Sequence, residues 1–174
     1  LVIQCIYDDI SIFYNGFARV QQNGFWGVID SLGNNTIPCS QGQQLGDFQY
    51  KLAIIDKDGK YGAINTNGQI VVECKYENIS ILANNKVSVS VNGKWGLLNN
   101  KGEVIIPIIY SMPIDFVDEI YIVNLNGRWG GVDVAGKEIV PIKFKKIRNL
   151  NNNILAVLDA DKWGIVNCTG KILD

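Results

Sequence analysis

The chain has 174 residues, 47% apolar and only 19% charged, which excludes a disordered polymer and leaves enough side chain to build a core in one or two domains. A formal charge of −1 supplies no field to steer nucleic acid or an anionic membrane, and no apolar run approaches the roughly 18 residues of a membrane helix. There is no histidine, so Ser-His and Cys-His catalysis and any imidazole ligand or base are excluded.

The chain begins at Leu1 rather than Met and shows no charged-then-apolar leader, so it reads as a fragment or processed product. Its dominant feature is a repeat. Trp26-Gly27, Tyr61-Gly62, Trp95-Gly96, Trp129-Gly130 and Trp163-Gly164 recur at separations of 35, 34, 34 and 34 residues. With each aromatic as position zero, position +4 is Asp30, Asn65, Asn99, Asp133 and Asn167, and position +7 is Gly33, Gly68, Gly102, Gly136 and Gly170. Position +12 is Pro38, Glu73, Pro107 and Pro141, and position +15 is Tyr76, Tyr110 and Phe144 in units two to four.

In chain order, residues 1–10 form a partial unit, with Val2, Ile3, Tyr7 and Ile10 matching positions +10, +11, +15 and +18. Each full unit then reads as strand, tight turn, strand, second turn, strand. Asn23-Gly24, Asp58-Gly59, Asn92-Gly93 and Asn126-Gly127 suit both central sites of a type I′ turn and predict two-residue hairpins. The fifth copy has Ala160-Asp161 there, which predicts a looser turn. The Asx-x-x-Gly segment at +4 to +7 predicts a type I turn. In the third unit the predicted strands run from Val87 to Val91, Lys94 to Asn99 and Glu103 to Ile106. The Pro at +12 marks a strand end or edge, since it cannot donate to a ladder. In the fourth unit Lys143 to Ile147 could add a short fourth strand.

Across the two-residue turn, position −6 faces +1 and −8 faces +3. One face therefore carries Val20, Ile55, Val89, Val123 and Val157 opposite the invariant glycines, together with Ile29, Ile64, Leu98, Val132 and Val166. The other face carries the position-zero aromatic with Val28, Ala63, Leu97, Gly131 and Ile165. Both faces are largely apolar, which predicts a sheet covered on both sides. The position-zero aromatic and its Gly are read as the joint between units, the Gly admitting the neighbour and the ring filling the gap. A single domain over residues 1–174 follows, all-β, of tandem antiparallel β-meanders of about 34 residues. The incomplete ends sum to one further unit with a short overlap, so a five-bladed propeller-like ring is favoured over an open β-solenoid or superhelix.

These units resemble the bacterial WG repeat family, also called KWG repeats, through Lys60-Tyr61-Gly62, Lys94-Trp95-Gly96, Arg128-Trp129-Gly130 and Lys162-Trp163-Gly164 with the Asx, Gly, Pro and aromatic that follow each. The first full copy departs, with Phe25 for the basic residue and Gln41 for the aromatic at +15. The resemblance implies a non-enzymatic recognition or scaffolding role and transfers no functional residues.

Residues that build a repeat recur, whereas residues that choose a ligand vary. The Trp ladder is accordingly read as packing rather than as a row of stacking sites, and Gln41 to Tyr50 and Met112 to Asp118 are the most individual stretches, candidates for a binding rim. Asp56, Asp58 and Gly59 resemble the start of a calcium loop, but Asn67 stands where its final Glu is required, so a hairpin turn is expected. Lys143, Lys145, Lys146 and Arg148 read as a solvated strand face rather than a phosphate site. Cys5, Cys39 and Cys74 share position +13 and Cys168 stands at +5, so free thiols are expected, which favours a reducing, cytoplasmic compartment. No catalytic, cofactor-binding or metal-ligating residue is read from the sequence. The expected partner is a protein or peptide, with a carbohydrate as the alternative and no nucleic acid or membrane insertion.

Overall fold

A computed structural model describes residues 3, 5–14, 16–39 and 44–171. Val2 and Gln41, each assigned a repeat position above, lie outside the described residues. The protein is all-β, with five antiparallel sheets of three or four strands. The first sheet orders β1 (Asp9–Ile10), β2 (Phe17–Gln22), β3 (Phe25–Asp30) and β4 (Asn35–Ile37) as a simple meander. The second does the same with β5 (Gln44–Leu45), β6 (Leu52–Lys57), β7 (Lys60–Asn65) and β8 (Ile70–Tyr76). Next comes β9 (Asn78–Leu82), and then the meander of β10 (Lys86–Val91), β11 (Lys94–Leu98) and β12 (Val104–Tyr110). The fourth sheet contains β13 (Asp115–Val117), β14 (Ile120–Leu125), β15 (Arg128–Val132) and β16 (Glu138–Phe144). The fifth contains β17 (Lys146–Asn149), β18 (Ile154–Asp159) and β19 (Lys162–Asn167). Two compact units result, residues 1–85 with 100–102, and residues 86–99 with 103–174.

The hairpins follow from their turn residues. Asn23, Asp58, Asn92 and Asn126 have φ of 51–54°, and the glycines after them have φ of 68–82°. Positive φ at both central residues is what a type I′ turn needs, and its twist matches that of the strands it joins. Register is as the pattern predicts: Val20 pairs Gly27, Ile55 pairs Gly62, Val89 pairs Gly96, Val123 pairs Gly130 and Val157 pairs Gly164. The fifth turn is not looser. Ala160 takes the left-handed conformation at φ 50°, and pairing runs unbroken from Ile154 with Asn167 to Asp159 with Lys162. Continuous strand pairing on either side holds a residue with no intrinsic preference for that conformation.

Position +4 closes the second turn twice. The carbonyls of Asp30, Asn65, Asp133 and Asn167 accept from the glycine three residues on at 2.9–3.0 Å. Their side-chain oxygens accept in addition from backbone amides two and four residues on, as Asp30 Oδ1 does from Leu32 at 2.9 Å and Asn34 at 2.8 Å. In Asp30 the Asn34 side chain, bonding Oδ2 at 2.9 Å, is the main cause that holds the carboxyl below its usual range. The folded state therefore favours the ionised form. Its contribution is present above the ordinary aspartate pKa and is lost as pH falls through the depressed folded value. Asp30→Asn, which reproduces the arrangement at Asn65, is expected to keep the fold and flatten the acid limb of a stability-against-pH curve. An unchanged acid limb would remove this role.

The third strand of each unit holds a feature the sequence left open. The Pro at +12 marks a strand end or edge as expected: Pro38 directly follows β4, and Pro107 and Pro141 lie within β12 and β16, each an outer strand of its sheet. Trp95 pairs Tyr110 and Leu97 pairs Ile106, so the third strand has two more residues than β11 between these pairs. Trp129 with Phe144 and Gly131 with Val140 repeat the arrangement. The extra pair is +12 and +13, a bulge in which a missing N–H costs nothing. The bulge brings +13 down onto the glycine at +1. A Cβ on Gly130 would meet Ile142 Cα at 2.6 Å and Val140 O at 2.7 Å, and one on Gly96 would meet Ile108 Cγ1 at 2.6 Å. The invariant glycine after the aromatic thus admits the third strand of its own sheet. It is not the joint between units, as its pairing with β-branched residues had suggested.

The joint is the glycine at +7. Gly68 lies against Thr36 of the preceding unit, a Cβ there falling 2.7 Å from its carbonyl oxygen. Gly102 lies in the same way against the Val71 carbonyl, and Gly170 against that of Ile139. All have φ of 79–82°. Apolar packing completes the joint. Val140 and Phe144 at +11 and +15 pack with Leu155, Val157 and Val166 of the following unit, and Ile37 packs with Ala53, Ile55 and Ile64. The stretch after +15 also crosses over: β17 pairs β18 of the next hairpin, and the Lys145 amide donates to the Leu158 carbonyl at 2.8 Å. The first, second, fourth and fifth sheets therefore borrow their outer strand from the preceding repeat.

Candidate functional site

The positions with the strongest repeat signal are mostly committed to packing. Trp26, Tyr61, Trp95 and Trp129 are half-buried, with Trp26 against the cluster of Ile37, Leu45 and Phe48 and Trp129 against that of Phe144. The individual stretches are committed as well. Residues 40–43 lie outside the described residues, but Leu45 and Phe48 are buried and Asp47 pairs with Arg19 Nε at 2.8 Å. Ile114 is buried and Asp115–Val117 is the outer strand of its sheet. In both stretches the described apolar residues Leu45, Phe48 and Ile114 anchor an outer strand, while Tyr50 and Met112 stay exposed.

The remaining expected sites resolve plainly. Asp56 Oδ1 accepts from the Gly59 amide at 3.0 Å, and Asp58 and Gly59 form the hairpin turn. Lys143 pairs with Asp159 at 3.2 Å and Lys145 with Asp161 at 3.1 Å, while Arg148 lies 4.7 Å from the Trp163 ring centroid. The basic strip is thus a solvated face with local partners. All four cysteines are free, and burial pushes the thiols of Cys39, Cys74 and Cys168 up, keeping them protonated and weakly nucleophilic.

The fifth sheet breaks the pattern. Among the described residues β19 pairs in a ladder with β18 alone, and the Asn167 amide donates to the Lys171 carbonyl at 2.9 Å, where the third strand of the other units starts; the residues after 171 lie outside the described ones. Trp163 is 47% exposed and Ile165 is 42% exposed, whereas the equivalent Val28, Ala63 and Leu97 are fully buried. A Cβ on Gly164 would meet nothing within 4 Å, although its counterparts are all in tight contact. On one side of the edge a cleft of about 330 Å³ is floored by Phe144, Val157 and Val166. On the other, Leu150 and Ala156 border a second of about 390 Å³ beside Trp163. The residues that lie over Gly27, Gly62, Gly96 and Gly130 stand at positions +11 to +13, which in the fifth unit fall after the described residues, so the exposure of Trp163, Gly164 and Ile165 marks no site.

The WG containing repeat matches residues 1–24, 26–61, 61–95, 95–129 and 129–163, nearly the whole chain in five tandem copies. The chain belongs to the WG repeat family. No curated protein matches it. Among solved structures, a eukaryotic initiation factor is similar at 12% identity and a TM-score of 0.58, over 97% of this chain and 54% of its own. Hsv2p of Kluyveromyces lactis is similar at 7% identity and a TM-score of 0.49, over 93% of this chain and 62% of its own. YCF48 bound to D1 peptide is similar at 14% identity and a TM-score of 0.39, over 86% of this chain and 60% of its own. The WG repeat chain thus spans less than two thirds of each of these chains, and at such identities the likeness is one of fold alone.

Proposed function

We propose that this WG repeat chain is a non-enzymatic module that recognises protein or peptide through the surface its repeat does not commit to packing. The commitment of the repeated positions to packing carries the reading, with Trp26 and Trp129 half-buried against apolar clusters and Gly27, Gly62, Gly96 and Gly130 closed over by their own third strands. A row of sugar sites, one per unit, is less well supported, since four of the five position-zero rings are half-buried against their own sheets and neighbouring repeats.

The test is a pair of arrays probed with the same labelled chain, one of extended peptides and one of glycans. Binding is expected on peptides, and the glycan array is expected to stay blank. A glycan bound at several equivalents per chain would overturn the proposal.

A further inference from the structure

The turn that leads from an outer strand into the next hairpin is left-handed in the second, fourth and fifth units, yet its residues do not repeat. At positions −11 and −10 Tyr50 and Lys51 have φ of 49° and 67°, Asp118 and Glu119 of 42° and 76°, and Asn152 and Asn153 of 54° and 61°. Asparagine enters this region readily, whereas tyrosine and lysine do so at a cost in backbone energy. The Gln49 and Leu52 amides donate to each other's carbonyls at 2.7 and 2.9 Å and hold the Tyr50-Lys51 turn in place. No hydrogen bond or ion pair of the two side chains offsets the cost: Tyr50 is 46% exposed, Lys51 is exposed, and neither side chain bonds to a described residue. Backbone held off its preferred conformation without local return is a mark of functional sites.

Tyr50 and Lys51 border a groove of about 200 Å³ at the joint of the second and third repeats, and every residue that lines it belongs to one compact unit. Leu52 and Val71 supply its apolar lining. Its polar lining is biased towards donors. Asn65 Oδ1 already accepts from the Asn67 and Gln69 amides and its Nδ2 donates to Gln69 Oε1, which leaves one amide hydrogen. The side chains of Thr66, Asn85 and Asn100 bond to no described residue, and Lys51 is the one charged residue among those lining the groove. Resting on the reading of the chain as a protein-recognition module, we propose that this groove takes the side chain of a glutamate from an extended segment of a partner protein. Its methylenes lie on Leu52 and Val71, its carboxylate accepts from Lys51 and the amides, and Tyr50 covers the neighbouring backbone. The equivalent groove of about 420 Å³ between the fourth and fifth repeats has Asp118 and Glu119 at the same two positions and Asp133 in place of Asn65. One frame thus carries opposite charge at two joints, and positions −11 and −10 set which.

Lys51→Glu separates this contact from folding, because a glutamate already holds the same turn position as Glu119 at φ 76°. The probe is the capped pentapeptide acetyl-Ala-Ala-Glu-Ala-Ala-amide, with its Gln and Lys counterparts, titrated by NMR against the isotope-labelled chain. The amide resonances of Tyr50, Lys51, Asn85 and Asn100 are expected to move and saturate with the Glu peptide, and the Gln peptide to bind about tenfold more weakly or worse. Lys51→Glu is expected to keep the thermal midpoint, to lose the Glu peptide and to gain the Lys peptide. The inference is overturned by the absence of saturable shifts at those residues, by equal binding of the Glu and Gln peptides, or by Glu-peptide binding that survives Lys51→Glu. If the peptide array yields binders that Lys51→Glu leaves intact, the groove is excluded and the protein-recognition reading stands. If the array yields none, both fall.

Discussion

Gly130→Ala is expected to destabilise the chain by about 3 kcal/mol, while Gly164→Ala leaves stability unchanged or raises it by about 0.5 kcal/mol. The two positions carry the same residue at the same place in the repeat, and both face a valine across a tight hairpin, Val123 and Val157. Above Gly130 the bulged third strand brings Ile142 Cα to 2.6 Å and Val140 O to 2.7 Å from any added Cβ. Backbone at that distance cannot rotate aside, so the whole strand must lift or the bulge must reform. Above Gly164 there is nothing to lift. Alanine there removes freedom from the unfolded chain and suits a strand at least as well. Urea unfolding of both variants beside the wild type measures the difference. Equal losses at both positions would show that the glycine is required by the hairpin itself and not by the third strand.

The glycine at +7 should give a graded series rather than a contrast. Gly102→Ala is expected to cost about 3–4 kcal/mol and Gly136→Ala about 1–2 kcal/mol. Both residues sit at φ near 80°, a region that costs an alanine about 1–2 kcal/mol by itself. At Gly102 the new methyl would in addition be driven into the Val71 carbonyl of the preceding repeat, whereas at Gly136 the nearest atom, Ile105 O, stands 3.4 Å away. The excess at Gly102 measures how tightly one repeat is set on the last. Midpoints of chemical unfolding are the readout, and matched losses would assign the whole effect to backbone strain. Loss of the Gly102 joint should also lower cooperativity, since repeat arrays hold together through nearest-neighbour interfaces.

Much of the fold was legible because it is local. Asn92-Gly93 specifies its turn from two residues, and the pairing of Val89 with Gly96 then follows by counting. The burial of Val89, Leu97 and Leu98 follows from apolar residues on both faces. The bulge was not legible, since Pro107 reads equally as an end or as an interruption, and the choice depends on Tyr110 returning to pair with Trp95. Nor was the anchoring within Gln41 to Tyr50 and Met112 to Asp118, whose irregular sequences read as candidates for a binding rim. Leu45, Phe48 and Ile114 are anchors whose buried surroundings come from other parts of the chain.

By itself the sequence determined the period, the hairpins, the Asx turns and the membership of each face, because all of these arise among residues a few places apart. The tertiary structure decided what each glycine is for, since an absent Cβ states that something comes close without saying what. It assigned Gly130 to its own third strand and Gly102 to the neighbouring repeat. The physical reason is that the atoms filling the place of a missing Cβ, Ile142 and Val140 at Gly130 and Val71 at Gly102, come from elsewhere in the chain.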